Sequence, residues 1–494
     1  MKINETLGLI RSFTSDNHLC KEGSTKYASS RFIPQFLLLL LVGGITFEYY
    51  SITSFWWMFD DTQIVSVVMR NNLDFFYKPA SESGTSWANF TPWLYFNYWI
   101  DVQLFGLNTW GFGFHQLLSV VFVVLSLYLV LKGSLGRPLT LLFLAWFFIT
   151  PVSNTIVQIL CTRHYLEGLG FSALSIYCYS KYMKEDQGKW LLVSAGLYAI
   201  ACLNKEVYVP LICVIYLLIL LDHNKTHRFD YQGVATFAVV AALYVAYRGY
   251  SLGWDNILTG YGGKQEDINL VVATGTVAEY ITEIIRFNNL KFVVALSLII
   301  TLVLSVRFFF MGNYRPLIIG QLIFVTYAIC ILVPVYKVMS TANVNHNYIF
   351  LSSFVLLLGF FYLLRLLITT FNISGWLLLV LFGFTSLAII KQYHYTQEHA
   401  PLIRQIARTN FVQRMNVEGE YMLRSRESTK LLKPWGGPWH ADGIYGIRKQ
   451  YFNTDSGPSA CDDICECGDI ANVVIFKDGK IVPVSSTGIK CLKL

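Results

Sequence analysis

The chain has 494 residues, 54% of them hydrophobic and only 14% charged, with a formal net charge of +7 and a mean hydropathy of +0.47. A soluble protein of this size carries about a quarter charged residues, so the composition excludes a water-soluble globular fold and points to a surface that meets lipid. Nucleic acid is not an expected partner.

The chain opens on a polar segment, 1–32, with Lys2, Arg11, Lys21, Lys26 and Arg31 and no small-residue cleavage site after the first apolar run. An apolar stretch of ~20 residues spans a bilayer as a helix. By that measure about eleven spans are predicted, at 33–53, 113–132, 139–153, 167–183, 190–203, 207–222, 233–250, 290–306, 317–335, 348–367 and 375–391. The dense basic segments are 1–32, 132–138, 181–189, 222–232 and 307–315. The positive-inside rule puts them in the cytoplasm, and 54–112, 251–289, 336–347 and the tail 392–494 outside. The expected domains are a cytoplasmic segment 1–32, a transmembrane domain 33–391 and an outer C-terminal domain 392–494.

The first outer loop, 54–112, carries two short aromatic-rich stretches, IVSVVMRNN after Asp60-Asp61 and WLYFNYWIDVQLFG after Pro92. Both are predicted helices at the membrane interface. Asp60 and Asp61 sit where the first span leaves the bilayer. One reading makes them an N-cap and a first-turn acid. The other is a carboxylate held at the membrane surface for chemistry. Neighbours on a helix diverge by ~100°, so the two acids have different tasks.

Further along, Arg163-His164-Tyr165 follows an interrupted polar stretch from Pro151 to Thr162, as in a broken helix lining a cavity. A snorkelling arginine at a helix end is the competing reading. Lys205-Glu206 follows Asn204 and forms either a local pair or a site; Arg248 ends a span. His346 lies in an amide-rich outer loop. In the tail, Asn472–Lys477, Asp478-Gly479 and Lys480–Val484 read as a hairpin with a two-residue turn, part of a small mixed α/β domain. Trp435 and Trp439 flank a Gly/Pro loop and either stack on sugar or fill a small core. Four cysteines crowd the tail, Cys461, Cys465, Cys467 and Cys491, and in an oxidising compartment they are expected to form disulfides; zinc is the rival.

The acidic pair, the interfacial helices, and Thr91-Pro92, Phe105-Gly106-Leu107-Asn108 and His115 leading into a span together resemble the GT-C superfamily of membrane glycosyltransferases. Asn204-Lys205-Glu206 is similar to that family's lysine–glutamate at an outer helix end. The likeness covers roughly 30–220, and its Asp60-Asp61 departs from the Asp-Glu of the lipid A and protein mannosyl branches. It implies an all-α polytopic fold and a sugar taken from a polyprenyl-phosphate carrier. By size, a bacterial enzyme that adds glucose to lipopolysaccharide O-antigen from the periplasmic side of the inner membrane fits best. The implied partners are the polyprenyl-phosphate sugar, a lipid-linked glycan acceptor, membrane lipids, and a separate donor-synthesising enzyme and flippase.

On that likeness Asp60 is the base, with Asp61 in reserve. Arg163, His164, Lys205 and Arg248 are candidates for the donor phosphate, and Glu206, His346, Trp435 and Trp439 for the sugars. No cofactor is expected. Asp60, Asp61 and His346 offer metal-ligand atoms, but no HxxxH or ExxH spacing accompanies them. A transporter or flippase is the alternative; it predicts mid-span charges and an internal repeat.

Overall fold

The computed structural model describes residues 32–50, 57, 60–85, 90–211, 213, 230–256, most of 282–311, 349–371, a few positions between 380 and 394, and four short strands of the tail. The twelve named helices of the described residues are α1 Phe32–Tyr49, α2 Asp61–Asn71, α3 Ala80–Ser83, α4 Pro92–Phe105, α5 Thr109–Leu135, α6 Arg137–Ile149, α7 Pro151–Gln158, α8 Arg163–Glu185, α9 Gly188–Asn204, α10 Tyr231–Leu252, α11 Lys291–Met311 and α12 Ile349–Phe371. Strand β1 (Tyr421–Leu423) pairs in parallel with β2 (Ser459–Cys461) and β3 (Val473–Lys477). Strand β4 (Lys480–Pro483) is antiparallel to β3, with Lys477 opposite Lys480, the pairing that the sequence predicts.

Local signals place the helix ends. Asn108 starts α5 by accepting the Trp110 amide, and Asp230 starts α10 by accepting that of Gly233. Pro92, Pro138 and Pro151 sit in the first turns of α4, α6 and α7, where a missing N–H costs nothing. The helices at 61–71 and 92–105 match the two predicted loop helices. Gly106 closes α4 with φ 58°, a conformation a Cβ disfavours.

Helices α5, α10, α11 (over Lys291–Phe310) and α12 are long and apolar enough to cross a membrane. Two predicted spans differ from expectation. The span at 139–153 does not run straight: α6 stops at Ile149, and α7 leaves it at 67°. Thr150 takes extended backbone ahead of Pro151, because the proline ring disfavours a helical residue before it. The span at 167–183 begins earlier, at Arg163, and its first two turns carry Arg163, His164 and Glu167, all buried. The predicted spans 207–222, 317–335 and 375–391 lie mostly outside the described residues.

Helix direction sorts the charges. Helices α8 and α9 are antiparallel around Asp186, which turns the chain with φ 51°. Arg163 and Asn204 are therefore at one end of the bundle. Lys181, Lys184 and Lys189 are at the other, with Lys132 near the end of α5 and Arg137 opening α6. At that second end Arg365 of α12 donates to the carbonyl of Ser134, a cation on the negative end of α5. Aromatic side chains fill the contact between α6 and α12: Phe143 meets Phe354 and Phe361 edge-on at 5.5 and 5.6 Å.

Candidate active site

Asp60 stands at the N-cap of α2, but its side chain makes no capping bond. Only its carbonyl serves the helix, accepting from Ile64 N at 2.9 Å. The side chain is exposed on one side and walled by protein on the other. That crowding raises its pKa above the ordinary carboxylate value, and Lys205 pulls it back down. Asp61 is wholly buried and accepts the Tyr98 hydroxyl at 2.6 Å. The two acids thus divide as helix geometry requires, and the Asp60 side chain does not cap α2. Asp61 ties α2 to α4, and Asp60 is left open.

The cations come from two helix ends. Helix α9 stops at Asn204, and Lys205 continues in extended backbone. Its Nζ is buried, 3.6 Å from Glu206 Oε1 and 5.8 Å from the centre of the Tyr165 ring. Burial lowers the Lys205 pKa, while Glu206 and Asp60 oppose that shift. Arg248, in the last turn of α10, brings Nη1 to 3.8 Å from Glu206 Oε2. His164 is 7% exposed, packs on the Tyr165 ring at 4.4 Å, and has no well-formed hydrogen bond on either ring nitrogen. The structure thus gathers Asp60, His164, Lys205, Glu206 and Arg248, five of the residues singled out by sequence. An accessible carboxylate beside one cation, with a second across Glu206, is equipped to take a proton and to stabilise a leaving anion.

Arg163 does not belong to this set. It is 0% exposed, and its guanidinium is committed to protein. Nη1 donates to Asp101 Oδ2 at 2.7 Å, Nη2 to Phe112 O at 2.9 Å and Nε to Gln116 Oε1 at 3.0 Å. His115 Nδ1 is 2.6 Å from the other Asp101 oxygen. The expected phosphate contact would require dismantling this network, and a snorkelling arginine would be exposed. Sequence reading missed its partners Asp101 and Gln116, and also Glu167, which accepts from Trp93, Asn97 and Ser119. Their signal was present: an acid inside apolar WIDVQLF and another at the start of a predicted span, each too costly to bury without a partner.

His346, Trp435, Trp439, Cys465, Cys467 and Cys491 lie outside the described residues. Cys461 is described only as part of β2. Among the described residues no three His, Cys, Asp or Glu side chains form a metal-binding group.

The Lys205 turn is held by contact as well as charge. The Tyr208 ring lies against Gly168 of α8, where a Cβ would overlap it, and its hydroxyl donates to the Tyr165 carbonyl. Gly168→Ala is expected to force the ring away at a cost of ~1–3 kcal/mol and to shift Lys205 with it. Gly196→Ala has open space around it and should be neutral. Melting temperatures of the two variants check this, and equal values would refute it.

Residues 90–247 match the family model described as dolichyl-phosphate-mannose-protein mannosyltransferase. The match takes in His164, Lys205 and Glu206; Asp60 precedes it and Arg248 follows by one residue. No curated protein matches the chain. Among solved structures, ArnT from Cupriavidus metallidurans bound to undecaprenyl phosphate is similar at 13% identity and a TM-score of 0.41, over 85% of this chain and 76% of that one. The segment holding most of the site is thus similar to a family of lipid-phosphate-sugar glycosyltransferases, in line with the resemblance in the sequence.

Proposed function

We propose that the chain is an inverting glycosyltransferase that moves a hexose, glucose in the first instance, from a polyprenyl-phosphate carrier to a glycan such as O-antigen. The observation that carries this reading is Asp60, an open carboxylate electrostatically coupled to buried Lys205. Asp60 takes the proton of the acceptor hydroxyl as its oxygen forms the new bond to C1. The C1–O bond to phosphate breaks on the opposite face, and its electron pair leaves with the polyprenyl phosphate. Lys205, Arg248 and His164 receive that anion. Glu206 holds the two cations apart and offers an oxygen to a sugar hydroxyl. One base with no covalent partner gives a single displacement and inversion, by analogy with glycoside hydrolysis. His346, Trp435 and Trp439 are proposed to contact the sugars. The tail 392–494 is proposed as an outer domain with disulfides among its four cysteines.

The periplasmic placement is supported by the lysines gathered at the far end of α8 and α9, away from the site. The direct test is transfer by the purified protein from polyprenyl-phosphate glucose to an O-antigen acceptor. Transfer from a nucleotide sugar alone, or lipid movement without transfer, would overturn the reading. Orientation is checked separately. A cysteine at Ser81 should react with an impermeant thiol reagent in intact cells, and one at Asp186 only after permeabilisation; the reverse pattern would put the site on the cytoplasmic face.

A further inference from the structure

The helix break between α7 and α8 is held by a polar network that the proposed chemistry does not use. Helix α7 ends at Gln158, a single 3-10 turn covers Leu160–Thr162, and α8 begins at Arg163. A break of this kind frees backbone carbonyls that lipid cannot satisfy. Gln116 of α5 donates Nε2 to the carbonyls of Ile156 and Val157 at 3.3 and 3.1 Å. The Thr162 hydroxyl reaches the carbonyls of Ile156 and Ile159 at 2.7 and 2.6 Å. Gln116 Oε1 then accepts from Arg163 Nε, and Arg163 goes on to Asp101 of α4. One continuous chain of bonds thus joins α4 and α5 to both sides of the break.

The site lies against the same few residues. Cys161 is close enough to Asp60 and Asp61 for both to act on its thiol, and His164 feels the charge of Lys205. Helix stability does not explain Arg163, because a cation at the first position of a helix faces the positive end of its dipole. Its bonds instead fix where the turn stands.

We propose that Arg163, Asp101 and Gln116 form a latch that fixes the α7–α8 break and thereby positions Cys161 and His164 against Asp60 and Lys205; Arg163 is a positioning residue and not a phosphate ligand. The inference rests on the glycosyltransferase reading for its kinetic consequence but not for its geometry. Removing one partner of a buried ion pair strands the other charge, whereas replacing both by apolar residues of similar volume is often tolerated. The informative variant is therefore the pair Asp101→Leu with Arg163→Met, in the full-length protein in bilayer discs.

Three quantities are read: kcat and KM for polyprenyl-phosphate glucose, melting temperature, and the maleimide reactivity of Cys161 resolved by mass spectrometry. A latch predicts a fall in kcat of about 10²-fold, the effect of a ~1 Å misplacement, with the donor KM little changed. It also predicts that Cys161, buried in the parent, becomes several-fold more reactive. A raised donor KM with kcat and Cys161 reactivity unchanged would make Arg163 a phosphate ligand and overturn the proposal. A lower melting temperature with kcat and Cys161 reactivity unchanged would make the network merely structural and overturn it equally. If the double variant does not fold, Gln116→Leu, which cuts the same chain of bonds without removing a charge, is read by the same criteria. If the parent protein transfers no sugar, the functional reading fails while the Cys161 measurement still decides the latch.

Discussion

Asp60→Asn is expected to lower sugar transfer by about 10²–10⁴-fold while the protein folds normally, because asparagine keeps the shape of the side chain and has no useful basicity. The structure sharpens this expectation. The Asp60 side chain makes no capping bond, so the helix loses only the attraction of the charge to its dipole, ~0.3–1 kcal/mol. Asp61→Asn should behave differently. Its buried carboxylate accepts the Tyr98 hydroxyl, and a hydrogen bond to a charged group contributes ~1.5–3 kcal/mol. That variant is expected to melt earlier and, where folded, to keep most of its transfer rate. The check is donor turnover by each purified variant at matched folded concentration. A folded, inactive Asp61→Asn beside an active Asp60→Asn would reverse the assignment within the pair.

Lys205→Met should cost about 10²–10³-fold in kcat, the usual loss when one preorganised group stabilising a developing anion is removed. The pH profile gives the second readout, and its sign follows from the two shifts. Partial desolvation by the protein on one side raises Asp60 above the ordinary carboxylate value, so the base is lost by protonation as pH falls through a point higher than for a free aspartate. Burial lowers Lys205 below the ordinary ammonium value, so the cation is lost as pH rises through a point lower than for a free lysine. Transfer should trace a bell narrowed from both sides. Lys205→Arg keeps its charge throughout and should remove the alkaline limb while leaving the acid limb in place. An unchanged alkaline limb in that variant would exclude Lys205 from the reacting site.

Much of the site was legible before any coordinates, for local reasons. Asp60 and Asp61 are adjacent, so their divergence follows from helix geometry alone. Lys205 and Glu206 sit just beyond an apolar run, where charge is conspicuous. Pro92 marked a helix start, and Asp478-Gly479 marked the boundary between two paired strands. The errors are of the opposite kind. The reading of Arg163 stood open between a phosphate ligand and a snorkelling helix end, because its own segment names no partner for it. Its partner Asp101 is 62 residues away in sequence, and nothing in either segment names the other. The bend at Thr150 was missed because Pro151 near the end of an apolar run is equally consistent with a span ending there. Helix α8 was started too late because Arg163 and His164 look unfit for a bundle interior until Asp101 and Gln116 are placed around Arg163.

Helix α10 is fastened at both extremities. At its start Asp230 accepts the hydroxyls of Tyr179 and Tyr182 at 2.9 and 3.1 Å. Near its end Tyr247 and Tyr250 donate to the carbonyls of Phe76 and Tyr77 at 2.7 and 2.9 Å. A 22-residue helix is a rod of about 33 Å, close to the ~30 Å of a bilayer's hydrocarbon. Arg248 is carried on that rod, so its height is referred to the opposite face of the protein as well as to the loop that Tyr247 and Tyr250 grip beside it. The gap between a cation and its anion is thereby referred to a length comparable with the thickness of the membrane itself.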